Sequence, residues 1–234
     1  NPKIELVQVQ HHYAHILSVM AEHKLDKEVL GIAFDGTGYG DDGNIWGGEV
    51  FIANKSTYKR VNHIKYFKLL GGEMAVKEPK RVALSLLFDN FTLDEILLMD
   101  NSCVKAFKIN EIKMFHTMWQ KALNTPLTSS VGRLFDAIAS FADILQTQSY
   151  EGETGLQIEQ YYEISHNQID LSLMIKEIIL DNDKKLICSK FLNTIVKIIE
   201  DLSNTYKNLP LVISGGVFQN RILLEILIDK FEKQ

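Results

Sequence analysis

Residues Glu28–Gly43 read EVLGIAFDGTGYGDDG, and the change of character inside this stretch decides the fold. Glu28 to Phe34 is a continuous apolar run, bounded by charge on one side and by Asp35-Gly36 on the other. That is the pattern of a strand buried on both faces, inside a sheet covered on both sides. The following segment, Asp35 to Gly48, holds six glycines and reads as a turn and loop. Glycine permits tight turns and lets backbone N–H groups approach phosphate oxygens. An Asp at the C-terminal end of a strand can hold a metal that bridges such phosphates. The segment lacks the Gly-Lys-Ser/Thr of a Walker loop, and no helix follows at once as in a Rossmann unit. A plain hairpin turn accounts for Asp-Gly but hardly for four glycines within Asp35–Gly43.

Upstream, Ile4 to Val9 alternates as a strand, and Ala14, Leu17 and Met20 mark a helix from about Tyr13 to Glu22. Downstream, Val50–Ala53 and Tyr58–Tyr66 read as strands. From Val76 onward the pattern is helical, over Lys80–Phe88, Leu93–Met99, Ile109–Leu123 and Ser130–Leu145. A late strand–glycine–helix unit joins Leu211–Ser214, Gly215-Gly216 and Phe218–Phe231. This order predicts an α/β chain with a sheet-rich lobe over residues 1–75 and a helix-rich lobe over 76–234.

Thirty acidic against 25 basic residues argue against a nucleic-acid surface read by charge alone. The mean hydropathy of -0.04 and the lack of any long apolar run argue against a membrane span. Cys103 and Cys188 are too few for a disulfide framework or a four-cysteine zinc site, so buried fillers in a reducing cytoplasm are expected. The chain opens on Asn1-Pro2-Lys3 and closes inside an amphipathic helix, and is expected to be a piece of a longer protein.

Three further places are candidates for chemistry. If a helix begins near His11, then His11 and His15 lie at i and i+4 and can meet at one metal ion, while His12 points roughly 100° away and is dispensable for it. Capping or core packing is the plainer alternative. Gly215 and Gly216 let a flat ligand such as adenine lie against the backbone before a helix N-terminus, or else form only a tight corner. Gly132 and Asp136 share a helix face, where Asp136 could accept ribose hydroxyls. Gly132 costs a helix interior roughly 1 kcal/mol relative to Ala, which calls for a compensating role. Glu78-Pro79-Lys80-Arg81 and Tyr150-Glu151-Gly152-Glu153 are weaker signals, read equally well as a helix start and a loop.

Six segments occur in order: VQHHYAH (9–15), AFDGTGYGDDGNIWGGE (33–49), KEPKRVALS (77–85), SSVGRLFDAIA (129–139), YEGETGLQIE (150–159) and SGGVFQNR (214–221). Together they resemble the hydrogenase-maturation carbamoyltransferases (HypF), specifically their C-terminal carbamoyl-transfer module, which is similar to the tRNA threonylcarbamoyl-transferases. The resemblance implies an actin/Hsp70-like (ASKHA) nucleotide-binding fold, with two lobes around a nucleotide cleft and the chain truncated at both ends. It implies transfer of a carbamoyl group from carbamoyl-adenylate to the C-terminal cysteine of a partner protein, on the way to the hydrogenase cyanide ligand. It further implies ATP or carbamoyl-adenylate as ligand and a divalent metal, Fe or Zn with Mg possible, on His11, His15 and Asp35. Gly36 and Thr37 would serve the phosphates, Gly132 and Asp136 the ribose, and Gly215, Gly216 and Asn220 the adenosine. A further metal-binding Asp and the adenylation, zinc-finger and acylphosphatase-like modules of the family lie outside these residues, so the chain is not expected to make carbamoyl-adenylate by itself. The resemblance leaves a cytoplasmic enzyme with no nucleic-acid or membrane partner. A small-molecule kinase of the same fold class and a non-catalytic nucleotide-binding scaffold are the alternatives.

Overall fold

The computed structural model describes residues 6–163, 174–181 and 183–232. Helix α1 (His11–Glu22) precedes strands β1 (Val29–Tyr39), β2 (Ile45–Ala53), β3 (Tyr58–His63) and β4 (Phe67–Lys68). A helical stretch follows: α2 (Met74–Lys77), α3 (Pro79–Asn90), α4 (Leu93–Leu98), α5 (Ser102–Lys105) and α6 (Ile109–Gln120). Short β5 (Leu127–Thr128) leads into α7 (Val131–Phe141), α8 (Glu153–Glu159), α9 (Met174–Leu180) and α10 (Lys184–Thr205). The chain ends with β6 (Leu211–Ser214), a 3-10 turn over Gly216–Gln219 and α11 (Arg221–Phe231).

The sheet runs in the order β4-β5-β2-β1-β6, with β3 also paired to β2. Strand β1 is central, antiparallel to β2 and parallel to β6. Its alternation feeds two cores. Val29 and Ala33 face Ile16 and Met20 of α1, while Leu30, Ile32 and Phe34 face the larger core built on α3 and α7. All six residues from Val29 to Phe34 are buried, as a strand covered on both faces requires. The fold is α/β, and β5 and β6, both from the helix-rich segment, complete a sheet begun by residues before 75.

Several expected elements differ. Asp35–Gly48 is not a loop: β1 continues to Tyr39, β2 starts at Ile45, and only Gly40–Asn44 turns between them. The glycines serve contact here, since a Cβ on Gly38 would sit 2.4 Å from His12 Cε1, and one on Gly40 would sit 2.2 Å from Trp46 Nε1. Residues 6–9 form no strand, and Ile4 lies outside the described residues; Leu6, Val7 and Val9 are exposed without a ladder partner. The strand from Tyr58 stops at His63, and the helix from Ser130 stops at Phe141, with Asp143 in the left-handed region (φ 53°). The helix expected from Phe218 starts at Arg221, because the Asn220 side chain accepts from Leu223 N–H at 2.9 Å and caps it there.

Candidate metal and nucleotide site

Pairing of β1 with β2 is continuous from Val29 to Phe34 and resumes at Gly38, so Asp35, Gly36 and Thr37 stand opposite the single Gly47. The candidate phosphate loop is therefore a bulge within a strand, and a bulge re-aims the side chains it carries. It can form because glycines stand on both sides. A Cβ on Gly132 would lie 2.8 Å from Gly36 Cα, and one on Gly47 would lie 2.7 Å from the Asp35 carbonyl oxygen. That contact is what offsets the helix cost of Gly132. The Ser130 hydroxyl fastens the junction: it donates to the carbonyls of Asp35 and Gly36 and accepts from Arg133 N–H, capping α7.

The bulge turns Asp35 toward α1. Its Oδ2 lies 3.0 Å from His11 Nε2 and 3.1 Å from His15 Nε2. The helix indeed begins at His11, with the Gln10 side chain accepting from Tyr13 N–H at 2.8 Å. One ligand atom from each of His11, His15 and Asp35 falls within 4.8 Å of the others, the single such group among the described residues. Two imidazoles and a carboxylate suit Zn or Fe better than Mg, which prefers oxygen ligands. The residues fit a transition metal. The other carboxylate oxygen, Oδ1, accepts from Gly36 N–H at 2.8 Å and Gly216 N–H at 3.1 Å. Burial pushes the Asp35 carboxyl up, but the hydrogen bonds from His11, Gly36 and Gly216 outweigh it and hold the group below its ordinary value.

His12 stays outside this set. It is fully buried against Gly38 and Trp46, and burial pushes its imidazole down to about 4, so it packs as a neutral ring. Substituting it would disturb the core beneath the bulge, so dispensability does not extend to the fold.

A cleft of about 520 Å³ opens beside Asp35, lined by Gly36, Gly132, Arg133, Gly216 and Asn220 among others. Thr37 faces the other way, into a second cleft of about 790 Å³ bordered by Gly72 and Lys77, so the bulge divides Gly36 from Thr37. Gly215 does not line either cleft; at φ 109° it packs on the Phe34 backbone and sets the corner that brings Gly216 to Asp35. Asp136 is fully buried behind the wall, with Thr154 Oγ1 donating to Oδ1 at 2.7 Å and Arg133 Nη1 2.9 Å from Oδ2. Burial pushes its carboxyl up to about 6, against the pull of Arg133. Both cysteines are buried with thiols pushed up to about 12, so neither is a nucleophile.

Some structural supports were not singled out from sequence. The buried Glu49 carboxylate accepts from Gly47 N–H at 3.0 Å, Gly48 N–H at 3.1 Å and the Ser129 hydroxyl, and from Arg60 Nε at 2.6 Å. Arg60 in turn covers the Trp46 ring at 4.0 Å. This brace holds the strand opposite the bulge. Its only trace in sequence was an acidic residue directly after two glycines, and its partners come from another strand and another loop.

Comparison with known proteins adds independent findings. Residues 31–234 match the family model described as "Carbamoyltransferase, Kae1-like Domain, second subdomain", and residues 1–22 match "HypF Kae1-like domain". The chain is 38% identical to carbamoyltransferase HypF of Synechocystis sp., covering 100% of this chain and 34% of that protein. It is 28% identical to the probable carbamoyltransferase HypF of Methanocaldococcus jannaschii, covering 98% and 32%. The crystal structure of full-length HypF in the phosphate- and nucleotide-bound form superposes with a TM-score of 0.87 at 34% identity, over 98% of this chain and 39% of that one. The structure of T. kodakarensis HypF gives 0.83 at 30% identity, over 99% and 34%. The chain thus spans about a third of the length of the curated relatives it matches.

Proposed function

The chain belongs to the HypF carbamoyltransferase family, and on that premise we propose that it is a carbamoyl-transfer module acting in hydrogenase maturation. The reading rests on one observation, the double use of the Asp35 carboxylate: Oδ2 toward His11 and His15, Oδ1 toward the N–H groups of Gly36 and Gly216 at the mouth of a cleft. A residue so shared joins a metal site to a nucleotide site. In this reading carbamoyl-adenylate lies between the sheet-rich segment 1–75 and the helix-rich segment 76–234. Gly216 and Asn220 take the adenosine side, with Gly215 as their corner. Gly132 and Asp136 take the ribose; the Asp136 Oδ2 has no hydrogen bond and is the acceptor left open once the Arg133 head gives way. Gly36 takes the phosphate side, and Thr37, turned into the other cleft, does not share it.

The acceptor is the thiolate of a partner's C-terminal cysteine, since this chain's two thiols are buried. Its sulfur bonds to the carbamoyl carbon, the carbon–oxygen bond to the phosphate breaks, and AMP leaves with that electron pair. A metal held by His11, His15 and Asp35 would supply Lewis-acid stabilisation of developing oxygen charge. The chain's own part is to let the phosphate approach the bare backbone at Gly36 and Gly216, and through their N–H groups to keep Asp35 ionised and aimed.

Calorimetric titration with ATP, then with Zn²⁺, Fe²⁺ or Mg²⁺, tests the reading. ATP is expected to bind, and a transition metal is expected to bind more tightly than Mg²⁺. His15→Ala should lower metal occupancy roughly tenfold or more, the scale of losing a ligand or its close support. ATP binding that needs Mg²⁺ and ignores His15→Ala would favour the kinase alternative instead. Nucleotide binding with no transfer to any thiol in the presence of carbamoyl-adenylate would favour a scaffold.

A further inference from the structure

The first turn of α7 carries Arg133, which the assignments above leave without a use of its own. Its side chain is 2% exposed and borders the 520 Å³ cleft. Nη2 reaches Glu151 Oε1 only at 3.4 Å, and Nη1 lies 2.9 Å from Asp136 Oδ2 without hydrogen-bond alignment. Nε and Nη1 have no hydrogen-bond partner. A buried guanidinium with unused donors is costly to keep, and its planar fork matches the paired oxygens of a phosphate.

Position gives the ligand's chemistry. A Cβ on Gly36 would sit 3.5 Å from Arg133 Nη2 and 2.6 Å from Glu151 Oε1, so both heads stand directly over the bulge beside Asp35. Among the described residues lining this cleft, Arg133 is the only cation, while Asp35 and Glu151 are acidic. An anionic ligand entering between two carboxylates needs a countercharge, and no other lining side chain supplies one.

We infer that Arg133 binds the phosphate of a nucleotide in this cleft, and that Glu151 holds the same guanidinium edge until the ligand takes its place. The inference rests on the nucleotide reading above and deepens it. When its head moves to the ligand, Arg133 also uncovers Asp136 Oδ2, so phosphate and ribose contacts form together. Glu151 is exposed and on a loop, with Gly152 beside it at φ 89°, and can yield without disturbing the core.

The test compares adenosine with AMP by calorimetry on the wild-type protein, Arg133→Gln, Arg133→Lys and Glu151→Gln. Wild type is expected to prefer AMP over adenosine by tenfold or more. Arg133→Gln should erase that preference by weakening AMP, while adenosine, whose ribose no longer competes with the guanidinium for Asp136, binds at least as well as to wild type; Arg133→Lys should keep part of the preference. Glu151→Gln should tighten AMP severalfold and leave adenosine alone, because competition for the guanidinium is weakened. That exposed variant tests the idea even where Arg133→Gln fails to fold. If Arg133→Gln keeps the full AMP preference, or if Glu151→Gln leaves AMP affinity unchanged, the Arg133 assignment falls and the nucleotide reading stands. If wild type binds neither ligand, both fall.

Discussion

Two acids of this site are shifted in opposite directions by their surroundings. Asp35 is stabilised as a carboxylate because backbone N–H groups and imidazoles converge on it. Asp136 has one good donor, Thr154, and a misaligned guanidinium, so burial pushes its carboxyl from 3.8 up to about 6. A carboxyl whose folded value is raised contributes stability that is complete below about pH 4 and is lost as pH rises through about 6. The loss is on the order of 2–3 kcal/mol at neutral pH. Asp136→Asn cannot titrate, so its Tm minus that of wild type should rise steadily between pH 4 and 7, whatever its starting sign. A pH-independent gap in thermal melts would mean that Arg133 keeps the carboxylate charged throughout. The His11–His15 spacing of four was legible at this scale, whereas the Gln10 cap that starts the helix at His11 was not. Arg133 was not, since a buried arginine in a helix reads like any other until its neighbours are known.

At the scale of elements, the bulge in β1 sets the site. It needs small residues wherever another backbone or ring comes close, and this explains why a strand carries so many glycines. Gly38 is the sharpest case: an added Cβ would meet His12 Cε1 at 2.4 Å and His11 Cδ2 at 2.7 Å. Gly38→Ala must displace the His12 and His11 rings that α1 lays against the sheet. It is expected to lower transition-metal affinity at least tenfold, measured by competition with a chelating dye, while the circular dichroism spectrum stays close to wild type. Retained affinity would show that α1 can shift without opening the His11–His15–Asp35 cluster. Dense glycine suggested a loop from sequence because turns and close contacts demand the same residue for different reasons. The long helix α10 was not foreseen, although its buried Ile187, Phe191, Leu192, Ile195 and Ile199 keep helical spacing. No motif falls within α10, so only its apolar periodicity marks it in the sequence.

At the scale of the whole molecule, the sheet depends on both halves of the sequence. Leu30–Ala33 of β1 pair with Leu211–Ser214 of β6, and Ile45 pairs with Thr128 of β5. Leu30, Ile32 and Phe34 complete their core only against α3 and α7. Residues 1–75 expressed alone should therefore show no cooperative thermal transition and should bind an apolar dye, whereas the 234-residue chain should melt in one step; a cooperative melt of the short piece would mean that the lobes fold independently. From the sequence alone followed the α/β class, the doubly buried run that closes at Phe34, a helix carrying His15, with His11 four residues before it, and the glycine corner at Gly215-Gly216. Each is a local matter of periodicity, capping or backbone freedom. Only the tertiary structure decided that Asp35 meets both histidines with one oxygen and Gly216 with the other, that Gly36 and Thr37 face different clefts, and that Arg133 lies over the bulge between two carboxylates. Those contacts join residues up to 181 positions apart, and they depend on strand register and on how closely two backbones can approach, neither of which is written in any single segment.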